Sequence, residues 1–86
     1  MKRIVETDEA SGLESLLGEK VLLMCANYFY AGKLTGVNAD CVVLEEASIV
    51  YETGIWSDAV YKDAQRLPGK EWYVRIDGVE SYGLGK

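Results

Sequence analysis

Residues 28–47 constrain this chain more than any other stretch. Two glycines, Gly32 and Gly36, flank Leu34 inside one strand-like segment, Tyr28-Phe29-Tyr30-Ala31-Gly32-Lys33-Leu34-Thr35-Gly36-Val37. A polar turn, Asn38-Ala39-Asp40, leads into a second apolar segment, Cys41-Val42-Val43-Leu44, which closes in Glu45-Glu46-Ala47. Glycine inside a strand marks a bulge, a bend or a close backbone approach, because no side chain stands in the way. Two glycines so placed predict a strongly bent antiparallel sheet. Small bent sheets of this layout close into little barrels, and such barrels bind more often than they catalyse.

At 86 residues the chain is read as one domain, near the small end of what folds alone. A hydrophobic content of 49% argues against disorder and against a coiled coil. The formal net charge of −5 comes from nine basic and fourteen acidic residues. That balance opposes a whole-surface grip on nucleic acid but leaves room for a local basic rim. The longest apolar run, Val21-Leu22-Leu23-Met24-Cys25-Ala26, is far short of the ~20 residues that span a bilayer. Residues 1–10 carry charge without an apolar stretch or cleavage site, so they read as a polar lead-in rather than a signal peptide. Cytoplasmic residence and no membrane partner are the expectation.

Ser11-Gly12-Leu13-Glu14 has capping-box spacing, and Leu13, Leu16 and Leu17 follow at helical intervals before Gly18. A short amphipathic N-terminal α-helix is predicted there. Strands are predicted over about 20–25, 28–37 and 41–52, with turns at Ala26-Asn27 and Asn38-Ala39-Asp40. The third strand is nearly continuous apolar at first and half solvent-facing from Glu45, which suggests a bend. Residues 53–69 show no strand pattern and read as a long packed connection carrying Trp56 and Tyr61, with a helical turn capped by Ser57. Glu71-Trp72-Tyr73-Val74-Arg75-Ile76 is a clear strand, Asp77-Gly78 turns the chain, and residues 79–84 give a fifth. Cys25 and Cys41 fall at opposite ends of the second strand, about ten residues apart at ~3.3 Å each. They are read as two free thiols, since a disulfide needs its Cα atoms within about 7 Å.

With these residues in order, the chain resembles the Sm-like family of ring-forming, RNA-associated proteins. The resemblance covers most of residues 12–83. The family's first motif wants an aromatic two before a glycine, then a leucine, a small residue, an acidic residue and a closing apolar strand. Tyr30, Gly32, Leu34, Gly36, Asn38 and Val42-Val43-Leu44 fill those places, with a turn one residue shorter. The second motif is an apolar-Arg-Gly tripeptide between the last two strands. Here it is Ile76-Asp77-Gly78, which keeps the glycine and puts an acid in the arginine's place. Arg75 stands beside it, where alternation would aim it at the opposite face.

The resemblance implies a five-stranded small barrel and RNA bases bound near two turns. One is the turn between strands two and three, and the other is the glycine turn. Carried over, the candidate RNA-binding residues are Asn38, Asp40, Cys41, Arg75, Asp77 and Gly78. The family's asparagine position falls on Cys41 or Val42, and Ala39-Asp40 offers no aromatic or basic side chain to stack on a base. The family also implies a homo-oligomeric ring, one subunit's fourth strand pairing head-to-tail with the next subunit's fifth. Trp72, Val74, Ile76, Val79 and Tyr82 are the candidate interface residues, and the Trp72–Ile76 strand lacks the internal lysine or proline that blunts an edge.

Catalysis finds little support in these residues. The chain has no histidine, which removes the commonest general base and metal ligand. Two separated cysteines cannot build a zinc site. The pairs Asp8/Glu9 and Glu45/Glu46 read as solvated surface, and Gly83-Leu84-Gly85-Lys86 lacks the spacing of a phosphate loop. No catalytic residue, metal or cofactor is expected. The leading reading is a non-catalytic Sm-like ring that binds single-stranded RNA weakly or with altered specificity. The alternative is the same ring as a protein-interaction scaffold. Lys33, Arg66, Lys70 and Arg75 read either as solubilising surface or as a basic rim near a pore.

Overall fold

The computed structural model describes residues 12–86. The polar lead-in, the expected cap Ser11 and the Asp8/Glu9 pair lie outside the described residues. Six strands follow a short turn: β1 (Lys20–Cys25), β2 (Phe29–Val37), β3 (Cys41–Glu52), β4 (Asp63–Arg66), β5 (Glu71–Arg75) and β6 (Val79–Leu84). They make one antiparallel sheet in the order β4-β3-β2-β1-β6, with β5 also on β3. β3 therefore carries β2 along one flank, while the other flank is shared by β5 at its start and β4 at its end. No ladder joins β5 to β6, so the sheet is not closed within the chain.

The bend sits where the glycines predict it. Between Ala31↔Ser48 and Lys33↔Glu45 the β2–β3 register slips by one residue opposite Gly32. Glu46 takes up the extra length with φ 51°, a conformation unusual for a residue with a side chain. A second slip, between Leu34↔Leu44 and Gly36↔Val43, leaves Thr35 unmatched on β2. Two bulges on opposite strands turn the ribbon sharply.

Both faces of the bent sheet are covered. The concave side holds Val21, Leu23, Leu34, Val42, Leu44, Ala47 and Val74, capped by Leu13. The other side holds Leu22, Ala31 and Val50, packed by Met24, Phe29 and Tyr61. β1 thus buries three consecutive apolar residues, which a strand with one wet face would not do.

The expected small barrel is an open sheet within one chain, and three further expectations are corrected. The N-terminal α-helix is a five-residue 3-10 turn, Gly12–Leu16. Gly12 has φ +66°, so the chain enters in a left-handed conformation, and Leu17 N–H reaches back only three residues to the Glu14 carbonyl. At three residues per turn Leu13 and Leu16 share a face and Leu17 is rotated off it. Leu13 is accordingly buried while Leu17 is 49% exposed. The sheet has six strands rather than five, because Asp63–Arg66 pairs with the end of β3. All four of those residues are exposed, so no apolar alternation betrayed the strand. The helical turn expected at Ser57 is an irregular loop with one tight turn, Asp58 N–H to the Ile55 carbonyl at 3.0 Å.

Candidate nucleic-acid interface

The six residues suggested for RNA binding gather at one end of the sheet. Cys41 is the register partner of Arg75 on the β3–β5 ladder. Ile76 N–H donates to the Asp40 carbonyl at 2.9 Å, tying the β2–β3 turn to the 3-10 turn Ile76–Gly78. Asn38, Asp40, Cys41, Arg75, Asp77 and Gly78 therefore belong to two turns that touch.

Their side chains are partly committed to the turns themselves. Asn38 Oδ1 accepts from Asp40 N–H at 2.7 Å and from Cys41 N–H at 2.8 Å. The asparagine is chosen for its ability to mimic a backbone carbonyl, and only its amide N–H groups remain to meet a ligand. Arg75 Nη2 lies 3.3 Å from Asp77 Oδ2, so the two share a side, as residues two apart on extended backbone do, and the expectation that Arg75 faces away is corrected. Both are largely exposed, where an ion pair exchanges readily with solvent or a competing anion.

The suggested interface side chains are spent mostly within the chain. Val74 is buried in the concave core, and Trp72, Ile76 and Val79 pack against it. Tyr82 is 43% exposed, and Tyr73 and Leu84 on the same two strands, outside the suggested set, are exposed as well. What β5 and β6 offer a neighbour is chiefly an unpaired row of backbone groups.

The four basic residues weighed as a rim do not gather in one place, and Lys70 lies just before β5, its carbonyl accepting from Glu46 N–H at 3.3 Å. Lys33 and Arg66 join Lys20 and Lys86 around an open cleft of about 760 Å³ at the bend, with Glu19 and Glu46 on its wall. Arg66 meets Glu46 there at 3.9 Å. Arg75 stands apart with the turn cluster. Proximity across the bend, not sequence spacing, makes the cleft, so only the bulge at Glu46 could have signalled it.

Cys25 and Cys41 are free, at the two ends of β2. Burial, and after it the Glu80 carboxylate, pushes the Cys25 thiol above its ordinary value. Burial raises Tyr30 likewise, helped by Cys25 and Tyr28. Because the folded-state values are raised, the folded chain holds protons that the unfolded chain has already released. The associated stability is present below the ordinary thiol range and is lost as pH rises through the shifted values. We expect urea midpoints to fall as pH climbs from about 8 towards about 11, and Cys25→Ala to flatten part of that fall. We also expect Glu80→Gln to speed Cys25 alkylation at mildly alkaline pH by less than about tenfold, since burial is the larger cause. A faster fall in Cys25→Ala would contradict the assignment.

No protein-family model and no curated protein matches this chain. No helix among the described residues is long and apolar enough to cross a membrane.

Proposed function

We propose that this chain is a non-catalytic Sm-like protomer that assembles edge to edge into a homo-oligomeric ring and binds single-stranded RNA weakly or with altered specificity. The observation that carries this reading is the strand order. A bent sheet runs from β3, which bears both β4 and β5 on its outer flank, through β2 and β1 to β6, so β5 and β6 are edge strands, as is the short, exposed β4. Unpaired edges attract another chain unless something covers or charges them. β5 of one copy against β6 of the next is a head-to-tail contact, which closes into a ring when the rotation allows and carries the sheet from subunit to subunit. The tied turns bearing Asn38 and Arg75 would then recur around the ring.

Native mass spectrometry with and without short uridine- and adenine-rich RNA tests both halves. A single closed oligomer is expected, retaining RNA at low salt and shedding it as salt rises. A monomer at all concentrations would remove the ring. An oligomer showing no RNA by fluorescence anisotropy at high micromolar concentration would leave the scaffold reading. Two observations favour that second reading: Asn38 Oδ1 is already used by its own turn, and Arg75 already faces Asp77. Protein partners that survive nuclease treatment would support it.

A further inference from the structure

The loop at residues 53–62, read in the sequence only as a packed connection, folds around a single point. Three of its backbone carbonyls converge on the Lys86 ammonium: Thr53 at 2.8 Å, Ile55 at 2.9 Å and Val60 at 3.1 Å. Two aromatic rings flank the same nitrogen, Tyr61 at 5.2 Å and Trp56 at 5.7 Å from their centroids. An alkylammonium has three N–H donors and no acceptor, so three carbonyls saturate it. Aromatic faces within about 6 Å add attraction for the positive charge.

The loop also holds itself. Lys62 N–H donates to the Thr53 carbonyl at 3.3 Å across the mouth, and Asp58 N–H donates to the Ile55 carbonyl at 3.0 Å. Gly54 has φ +74°, and a Cβ there would lie 3.0 Å from Lys62 Cβ. Lys62 pairs with Glu52 at 3.4 Å beside the mouth. None of these contacts involves Lys86. The lysine is delivered by backbone: Lys86 N–H donates to Tyr61 Oη at 3.0 Å, and Gly85 N–H to the Lys20 carbonyl at 2.9 Å.

We propose that residues 53–62 form a binding site for a primary ammonium group, with Lys86 as its resident intramolecular ligand. Withdrawing the Lys86 side chain frees the site for an external alkylammonium, such as the side chain of a lysine on another polypeptide. Selectivity follows from the geometry. A quaternary ammonium has no N–H and could donate to none of the three carbonyls. A guanidinium is planar and cannot place three donors on one converging trio.

The test is chemical rescue of Lys86→Ala, followed by the NMR signals of the Trp56 indole and the Asp58 and Lys62 amides. We expect those amides to exchange about tenfold faster in the variant, since part of the loop's anchoring is gone. n-Butylammonium should bind saturably, move the three signals back towards their original positions and restore protection. Tetramethylammonium and potassium at equal ionic strength should do neither, and n-butylammonium should leave the original chain unchanged. Lys86→Met, which keeps the aliphatic stem, should behave like Lys86→Ala. Equal effects from all three cations, or no rescue by n-butylammonium, would overturn the proposal. So would unchanged loop exchange in both variants.

Discussion

Gly32→Ala should destabilise the fold by about 2–3 kcal/mol, as overpacking against backbone does. A Cβ at Gly32 would sit 2.9 Å from the Glu45 carbonyl oxygen and 3.2 Å from Ala47 Cα, both main-chain atoms that cannot swing aside. Accommodating it means pushing β3 away at the Glu46 bulge, where the register already slips. Gly36→Ala is the control. Its Cβ would meet only Val43 side-chain atoms at 3.3 and 3.4 Å, and reduced freedom of the unfolded chain offsets part of that crowding. Urea denaturation should therefore separate the two variants, with Gly36→Ala within about 1 kcal/mol of the parent. Equal losses would mean that Gly32 does not form the tight approach of β2 to β3. For an 86-residue chain whose total stability is roughly 4–13 kcal/mol, the Gly32 penalty is a large share.

Leu34→Ala should cost about 2–5 kcal/mol, the range for a buried leucine that leaves a cavity. Leu34 is fully buried in the concave core. Its backbone also anchors the segment before β1, its carbonyl accepting from Gly18 N–H at 2.8 Å and its N–H donating to the Glu19 carbonyl at 2.9 Å. Those two bonds survive the substitution, so the expected loss is one of packing rather than of attachment. Leu17→Ala, by contrast, should stay within about 0.5 kcal/mol because the side chain faces solvent. Thermal melts of the two variants check this. Comparable losses would place Leu17 on the core after all and undo the reading of the 3-10 turn.

Where the sequence was legible, a half-covered pleat or a turn residue made it so. The spans of β1, β2, β3, β5 and β6 follow from apolar runs interrupted by Asn27, Asn38 and Gly78, residues suited to turns. β4 was hidden because Asp63-Ala64-Gln65-Arg66 buries neither face and is held by backbone pairing alone. The first turn was misread because leucine spacing cannot distinguish 3.6 from three residues per turn over five residues. At the turn cluster, motif position located Asn38, Cys41 and Asp77 together, but not the internal contacts that occupy Asn38 Oδ1 and pair Arg75 with Asp77. The ammonium site was invisible for a simpler reason: its acceptors are main-chain carbonyls, which every residue possesses.

The stacked apolar residues of β1 carry a consequence for fidelity of folding. With Val21, Leu22 and Leu23 all shielded from water, sliding the strand by one position would exchange like for like, so greasiness alone does not choose its alignment. The choice falls to absent side chains. Any Cβ at position 85 would stand 2.9 Å from the Val21 carbonyl carbon, so a slipped pairing would drive Leu84 or Lys86 into that backbone. Gly85 thus works as the ward of a lock, admitting one alignment by what it leaves out.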